Sequence, residues 1–349
     1  MIWLTWRQFR TQSLVTAALL AAAAVYLLVT GTQLRSAYTA DLTACRPANA
    51  AESCFGLLNA LQDQYNGPLE LAEFLVMAAP ALIGVFWGAP LLAGELERGT
   101  HSLAWNQSVT RTRWLAAKLG LTAVATVVTA GVLSLLMTWY ASPLDTAAGN
   151  RWGTRSFNAR DVVPLGYAAF AFALGVTAGL LIRRSVPAMA ATLAIFIAVQ
   201  VPVTALLRPH VLPAKTVSTA IDQSSMSQAI RFDRAQAVTG QVQIDLPGPA
   251  GAWILSQSPA LDSAGRAVPT SEVLDCWNRV LSPSAVGKAG TPGFGQLGSC
   301  LAPLDLHVDT TYQPAGRYWP LQWTETGFYL LLAGGLTVFC FRRVHRIRA

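Results

Sequence analysis

Residues 94 to 118 read GELERGTHSLAWNQSVTRTRWLAAK. Two carboxylates (Glu95, Glu97), a Gly99-Thr100 pair and the cations Arg98, Arg111, Arg113 and Lys118 sit in one short break between apolar stretches. Such groups can be offered to a soluble partner, or they can simply solubilise a turn. Catalysis is disfavoured, because no convergent set completes a site. A P-loop needs Gly-x-x-x-x-Gly-Lys-[Ser/Thr], and the nearest stretch, PSAVGKAG, lacks the first glycine and the hydroxyl. Neither Gly-x-Ser-x-Gly nor His-Glu-x-x-His occurs. If energy drives this protein, the motor is another chain.

Metal and proton chemistry fare similarly. There is no Cys-x-x-Cys, and His101, His210, His307 and His345 are scattered, so no metal site is expected. Proton-coupled carriers usually need an intramembrane carboxylate or histidine. Here Glu73, Glu95, Asp161 and Glu325 are all expected at helix ends. Gln200, beside Pro202, is the most polar feature inside an apolar run and reads as an interhelical hydrogen bond rather than a substrate ligand.

The elements that must carry these residues are built for lipid. Of 349 residues, 53% are hydrophobic and only 12% charged, which excludes an ordinary soluble globule. Six runs contain no Asp, Glu, Lys or Arg: 13–30, 74–94, 119–140, 162–182, 185–207 and the shorter 326–341. A charge at a helix centre costs about 2.5–3.5 kcal/mol on insertion scales, so six empty runs predict six transmembrane helices. With a cytoplasmic N-terminus the inner face carries 12 cations and 2 acids, and the other side 13 cations and 16 acids. That asymmetry obeys the positive-inside rule and predicts a multi-pass protein of the bacterial cell membrane with both termini on the cytoplasmic side. The segment MIWLTWRQFR reads as an amphipathic interfacial helix, with the frayed start of the first span and a cleaved signal peptide as competing readings.

The expected fold is an all-α polytopic membrane protein with this N-terminal interfacial helix and a mixed α/β extracellular domain between spans five and six. Its parts are 1–207, the extracellular domain 208–320, and 321–349 with the last span and a basic cytoplasmic tail. The extracellular stretch holds 11 of the 19 prolines and candidate strands QAVTGQVQI and GAWILS. Residues 31–73 and SPLDTAAGNRWGTRSFNARD are expected as outer loops. Four of five cysteines fall outside, one pair per outer region, which predicts disulfides Cys45 with Cys54 and Cys276 with Cys300. Cys340 reads as a buried small hydrophobe. Gly84 with Gly88, and Gly175 with Gly179, give Gly-x-x-x-Gly spacing for close helix packing, within the chain in preference to a dimer face.

The order Glu95, Glu97, Gly99-Thr100, Ser108, Arg111, Lys118 between spans two and three resembles the ABC-2 family of ATP-binding-cassette permeases. PLGYAAFAFALGVTAGLLIRRSVPAMAATLAIF and YQPAGRYWPLQWTETGFYLLLAGG are similar to later spans of permeases common in high-GC Gram-positive bacteria. The resemblance implies a subunit without its own ATPase or cofactor, two copies pairing with two copies of a separate ATPase that binds ATP and Mg. The segment around 95–107, with Glu95, Glu97, Arg98, Gly99, Thr100 and Leu103, would be the coupling helix, supported by Arg111 and Lys118, with Ser108 capping the next span. Arg183 and Arg184 would make a second, smaller contact. The cargo would be a hydrophobic or amphipathic compound (drug, antibiotic or lipid) moved outward; no nucleic acid is implied, and membrane lipid surrounds the spans. The alternative is a membrane-anchored receptor or scaffold whose extracellular domain senses a ligand.

Overall fold

The computed structural model describes residues 2–44, 51–99, 110–148, 150–222, 225, 231–233, 243–268, 275–276 and 294–344. The chain divides into two compact units, Met1–Arg208 with Tyr318–Ala349, and Pro209–Arg317.

The first unit is helical. Its elements are α1 (Ile2–Ala44), α2 (Ala51–Ile83), a π-helical turn (Gly84–Gly88), α3 (Ala89–Arg98), α4 (Arg111–Ala148), α5 (Thr154–Ala159), α6 (Val163–Ile182), α7 (Ser185–Pro202), a second π-helical turn (Val203–Leu207), α8 (Arg208–Val211) and α10 (Tyr318–Val344). Among the described residues, six helical stretches are long and apolar enough to cross a membrane: Ala17–Ala40, Asp63–Arg98, Thr112–Thr146, Val163–Ile182, Ser185–Val211 and Ala315–Val344. Helices suit these runs because hydrocarbon offers no partner to an unpaired N–H or C=O. Leu135, Val186 and Leu331 face outward, as lipid contact requires. The helix α6 is the most buried of the six and forms the axis of the bundle.

Most helices outrun the charge-free segments, since charge marks where hydrocarbon ends and not where backbone hydrogen bonding ends. One expectation is corrected by this. The segment 31–73 is not a loop: 31–44 belong to α1 and 51–73 to α2. The N-terminal segment MIWLTWRQFR is continuous with the first span in the single helix Ile2–Ala44. Each π-helical turn adjoins a proline, Pro90 after the first and Pro202 before the second. A proline cannot donate to the ladder and crowds the preceding turn, and a widened turn accommodates both effects.

The second unit carries β1 (Lys215–Ala220), β2 (Arg231–Asp233), β3 (Gln243–Asp245), β4 (Trp253–Gln257), α9 (Phe294–Leu301) and β5 (His307–Gln313). An antiparallel sheet runs in the order β1-β5-β4, and β2 pairs with β3 separately. Of the expected strands, GAWILS becomes most of β4 and the end of QAVTGQVQI falls in β3; 236–242 lie outside the described residues. Ile221, Leu246, Leu301, Leu306 and Val308 form a small core, against which the Cys276–Cys300 disulfide packs. Cys45 lies outside the described residues, and with it the expected Cys45–Cys54 pairing.

Candidate functional site

The helix α6 organises the first unit, and its two ends differ. Along its middle, Gly175 and Gly179 lie directly on the backbone of Gly84, Gly88 and Ala89. A Cβ on Gly84 would come within 2.6 Å of the Ala171 carbonyl oxygen, and one on Gly88 within 2.7 Å of the Phe172 oxygen. Small residues are required there, because any side chain must push the two backbones apart. Ala93, Ala178 and Ala188 extend the same close contact toward α7. The first π-helical turn, α3 and α6 therefore meet backbone to backbone.

At the Arg183 end, α6 stops in a left-handed residue, Arg183 (φ 59°), whose N–H bonds the Gly179 carbonyl at 3.1 Å. The chain turns through Arg184, and α7 starts at Ser185. Glu97, one residue before the end of α3, accepts from the Ser185 backbone N–H at 3.0 Å and from its hydroxyl at 2.9 Å, both through Oε2. A carboxylate receiving the free N–H groups at a helix start satisfies donors that the helix itself leaves open. Two of the sequence-predicted stretches, Glu95–Gly99 and Arg183-Arg184, are thus joined by one side chain. Beside them Glu95 and Lys118 form a buried ion pair linking α3 to α4, with the Lys118 ammonium 4.9 Å from the Trp114 ring centroid. Arg98 turns back, its Nε donating to the Gly94 carbonyl at 2.7 Å. Gly99 takes φ 69°, where a Cβ is unfavourable, and ends α3.

Thr100, Leu103 and Ser108 lie outside the described residues, as does the coupling helix itself. The described cap of α4 is Thr110, whose hydroxyl accepts the Arg113 N–H at 3.4 Å. Arg111 is the first residue of α4.

At the Asp161 end lies a polar cluster that the sequence treated as a loop. Residues 156–161, SFNARD, fold as the end of α5 and the turn into α6, and each one except Ala159 reaches another element. The Ser156 hydroxyl donates to the buried Glu73 carboxylate of α2. The Phe157 carbonyl accepts from Gln322 Nε2 of α10 at 3.1 Å, and the Arg208 guanidinium stacks on its ring at 4.3 Å. Asn158 Oδ1 accepts from Arg208 Nη2 and from the Tyr167 hydroxyl. Arg160 Nη1 meets Asp145 of α4 at 2.5 Å. Asp161, left-handed at φ 61°, accepts the Ser134 hydroxyl through its carbonyl at 2.6 Å and the Tyr318 hydroxyl through Oδ2 at 2.5 Å. Gln322 Oε1 then receives the Val162 and Val163 N–H groups, so a side chain of α10 caps α6.

The centre of this cluster is a fully buried ion pair. Arg208 Nε donates to Glu325 Oε2 at 2.7 Å and Nη2 to Oε1 at 2.8 Å, a bidentate fork, and the Tyr167 hydroxyl donates to the same carboxylate. Bidentate guanidinium–carboxylate contacts are among the stronger protein hydrogen bonds. Two sequence expectations are corrected here. Glu73 and Glu325 lie inside α2 and α10 and not at helix ends, tolerated because each is partnered within the bundle. Arg208 belongs to the helical unit, while the second unit starts at Pro209. Gln200 Oε1 is buried without a partner, so the expected interhelical bond through that oxygen is not formed. Among the described residues no group of three His, Cys, Asp or Glu is arranged to hold a metal.

Comparison with protein families matches residues 17–208 to the family described as ABC-2 membrane transporter related, more than half of the 349 residues. The chain belongs to this family. No curated protein and no solved structure matches it. The match to this ABC-2-related family spans five of the six apolar helices and ends at Arg208. It includes the Glu97–Ser185 bond, the glycine seam and SFNARD, whereas Tyr318, Gln322 and Glu325 come from α10 beyond it. The chain is accordingly a multi-pass membrane protein of transporter type.

Proposed function

We propose that this chain is the transmembrane subunit of an ATP-driven exporter, paired with a separate ATP-binding-cassette ATPase and moving a hydrophobic or amphipathic compound outward. The Arg183 end is cytoplasmic in this reading, and Pro209–Arg317 is extracellular. The cation excess at Arg98, Arg111, Arg113, Arg183, Arg184, Arg342 and Arg343 supports that orientation. ATP and Mg belong to the partner, and two copies of each chain make the working assembly.

The observation that carries the coupling role is the Glu97 carboxylate bonded to Ser185. It ties the two stretches expected to touch the ATPase into a single contact patch, so a push on either moves both. ATP binding favours one arrangement of an ATPase pair, and contact energy at this patch biases the membrane helices to match.

The test is to purify the chain in lipid with its ATPase and compare ATP hydrolysis and cargo movement for the native chain and Glu97→Ala. Stable association, with hydrolysis no longer tied to transport in the variant, is the expected outcome. Normal transport by Glu97→Ala overturns the coupling role, and failure to associate with any such ATPase overturns the exporter reading. One feature favours a sensing role instead: Pro209–Arg317 has its own core and disulfide, as a ligand-binding domain would.

A further inference from the structure

We propose that the SFNARD cluster is a latch that closes the bundle at the Asp161 end, with the Arg208–Glu325 pair as its fastening. The inference rests on the transport reading above and adds to it where the path is shut and which bonds must break.

The two parts of the bundle differ in the kind of contact they make. Along the glycine seam, α3 and α6 touch through backbone, so they must move as one body. At the Asp161 end, α2, α4, α8 and α10 are joined to 156–163 by side-chain bonds to Glu73, Asp145, Arg208, Tyr318 and Gln322. Such bonds can be exchanged for bonds to water without unfolding a helix. Packed backbones offer no such exchange, and α10 also meets α6 backbone to backbone at Gly166 and Thr326, so the elements free to part from the α6–α10 pair are α2, α4 and α8.

Charge balance fits a part that opens. The cations Arg151, Arg160 and Arg208 face Asp145, Asp161 and Glu325, so these six charges pair when closed, while the fourth carboxylate, Glu73, takes the Ser156 hydroxyl. The cluster is also not fully satisfied. Arg208 Nη1 and the Tyr329 hydroxyl are buried and have no hydrogen-bond partner. Both belong to residues beside Tyr167: Arg208 Nη2 lies 3.2 Å from its hydroxyl, and the Tyr329 ring packs edge-on against it at 4.8 Å. Burying these two donors opposes closure and hydrating them favours opening, so the closed state is poised against an open one.

The remaining link is mechanical. Glu97 and Ser185 hold the far end of the α3–α6 body, and α6, about 30 Å long, carries any displacement there to Val163 and the Gln322 cap. Moving the α6–α10 pair relative to α8 strains the Arg208–Glu325 fork and the Arg208–Asn158 bond.

The experiment places a cysteine at Tyr329 in the full chain, in lipid nanodiscs with its ATPase, and measures modification of residue 329 by a charged maleimide using mass spectrometry. Tyr329→Cys should be unreactive at rest and should react at least tenfold faster when a non-hydrolysable ATP analogue is bound. Adding Glu325→Gln should give the same increase without nucleotide, and Asn158→Ala, which leaves the ion pair in place, a smaller one. Ala89→Cys, buried in the glycine seam, should stay unreactive in every background.

An unchanged rate at residue 329 in both Glu325→Gln and Asn158→Ala overturns the latch. So does equal labelling at 329 and 89, which would mean general loosening. If Glu325→Gln does not fold, Asn158→Ala and Arg208→Lys give the same reading. Failure to bind an ATPase removes the nucleotide arm and the exporter reading, but leaves the substitution arm able to decide the latch.

Discussion

At the Asp161 end of α6, five of six consecutive residues bond to side chains on α2, α4, α6, α8 or α10; at the Arg183 end, among the described residues, the side chain that ties the turn to another element is Glu97. The difference is one of burial as much as number. Ser156, Asn158, Arg160, Arg208 and Glu325 are buried, whereas Glu97, Arg183 and Arg184 are exposed. Buried polar networks fix one arrangement strongly, because each member left alone is costly. Exposed bonds exchange readily with water and suit a surface that docks and releases a partner. One end of the same helix is thus built to hold and the other to be handled, and the glycine seam between them keeps the two mechanically continuous.

The largest expected effect lies at the buried end. Replacing Glu325 by Ala leaves the Arg208 guanidinium in the bundle without its charge partner, and breaking one side of a buried pair costs about 3–5 kcal/mol. Thermal unfolding in lipid or mild detergent should show this as a marked loss of stability. Replacing the pair together, Arg208→Met with Glu325→Leu, should recover much of it while abolishing any function that needs the bonds to break and reform. A double variant as unstable as Glu325→Ala would mean that the hydrogen bonds to Asn158 and Tyr167 hold the end, and not the ion pair.

The seam comes next. Gly175→Ala places a methyl against the Gly84 carbonyl and the Ala89 amide. Overpacking of this kind costs about 1–3 kcal/mol, and here it must separate two backbones. The expected outcome is reduced stability together with reduced transport at near-normal ATPase association. Gly120→Ala, where nothing lies within 4 Å of the added carbon, should change neither and serves as the matched control.

How much of this was legible beforehand differs between the ends in the same way. The Arg183 end announces itself, because its cations and carboxylates interrupt charge-free runs and the family pattern names several of them. The seam is also visible, since four glycines at i, i+4 spacing in two spans suggest close packing. SFNARD is not: Ser, Asn and Asp are common loop residues, and nothing local says that they will be buried. Their burial depends on Glu73, Arg208 and Gln322, which lie 83, 50 and 165 residues away from their partners. The available clue was a mismatch of solvent and charge, with Arg208 closing one apolar run and Glu325 opening another. Two opposite charges at neighbouring span ends are cheap in lipid only when paired. The helical extent of 31–73 was missed for another reason, because charge marks membrane depth and says little about where a helix continues into water.

A smaller effect is expected from Glu95→Gln. It keeps a hydrogen-bonding side chain beside Lys118 but removes the opposite charge from a buried ammonium. About 1–3 kcal/mol should be lost. Each of Lys118→Met and Glu95→Ala leaves one buried charge without its partner, but Lys118→Met should be the milder, since methionine fills the stem's space against Trp114 whereas alanine leaves a void. The order of those two stabilities tests whether the pair braces α3 against α4 by charge or by packing.

The smallest effect on stability, and the sharpest test of the contrast between the ends, belongs to Glu97→Gln. Its carboxylate is exposed, and exposed polar contacts contribute about 0–1 kcal/mol, so unfolding should hardly shift. A glutamine oxygen can still accept from the Ser185 N–H and hydroxyl, but as a neutral and weaker acceptor. If the Arg183 end is a handled surface, ATPase association or the ratio of hydrolysis to transport should change several-fold with stability unaltered. Ser185→Ala, which removes one of the two donors but leaves the backbone N–H, should shift the same ratio by less. Should Glu97→Gln instead cost as much stability as Glu325→Ala, the two ends of α6 would be the same kind of structure, and the division between holding and handling would be lost.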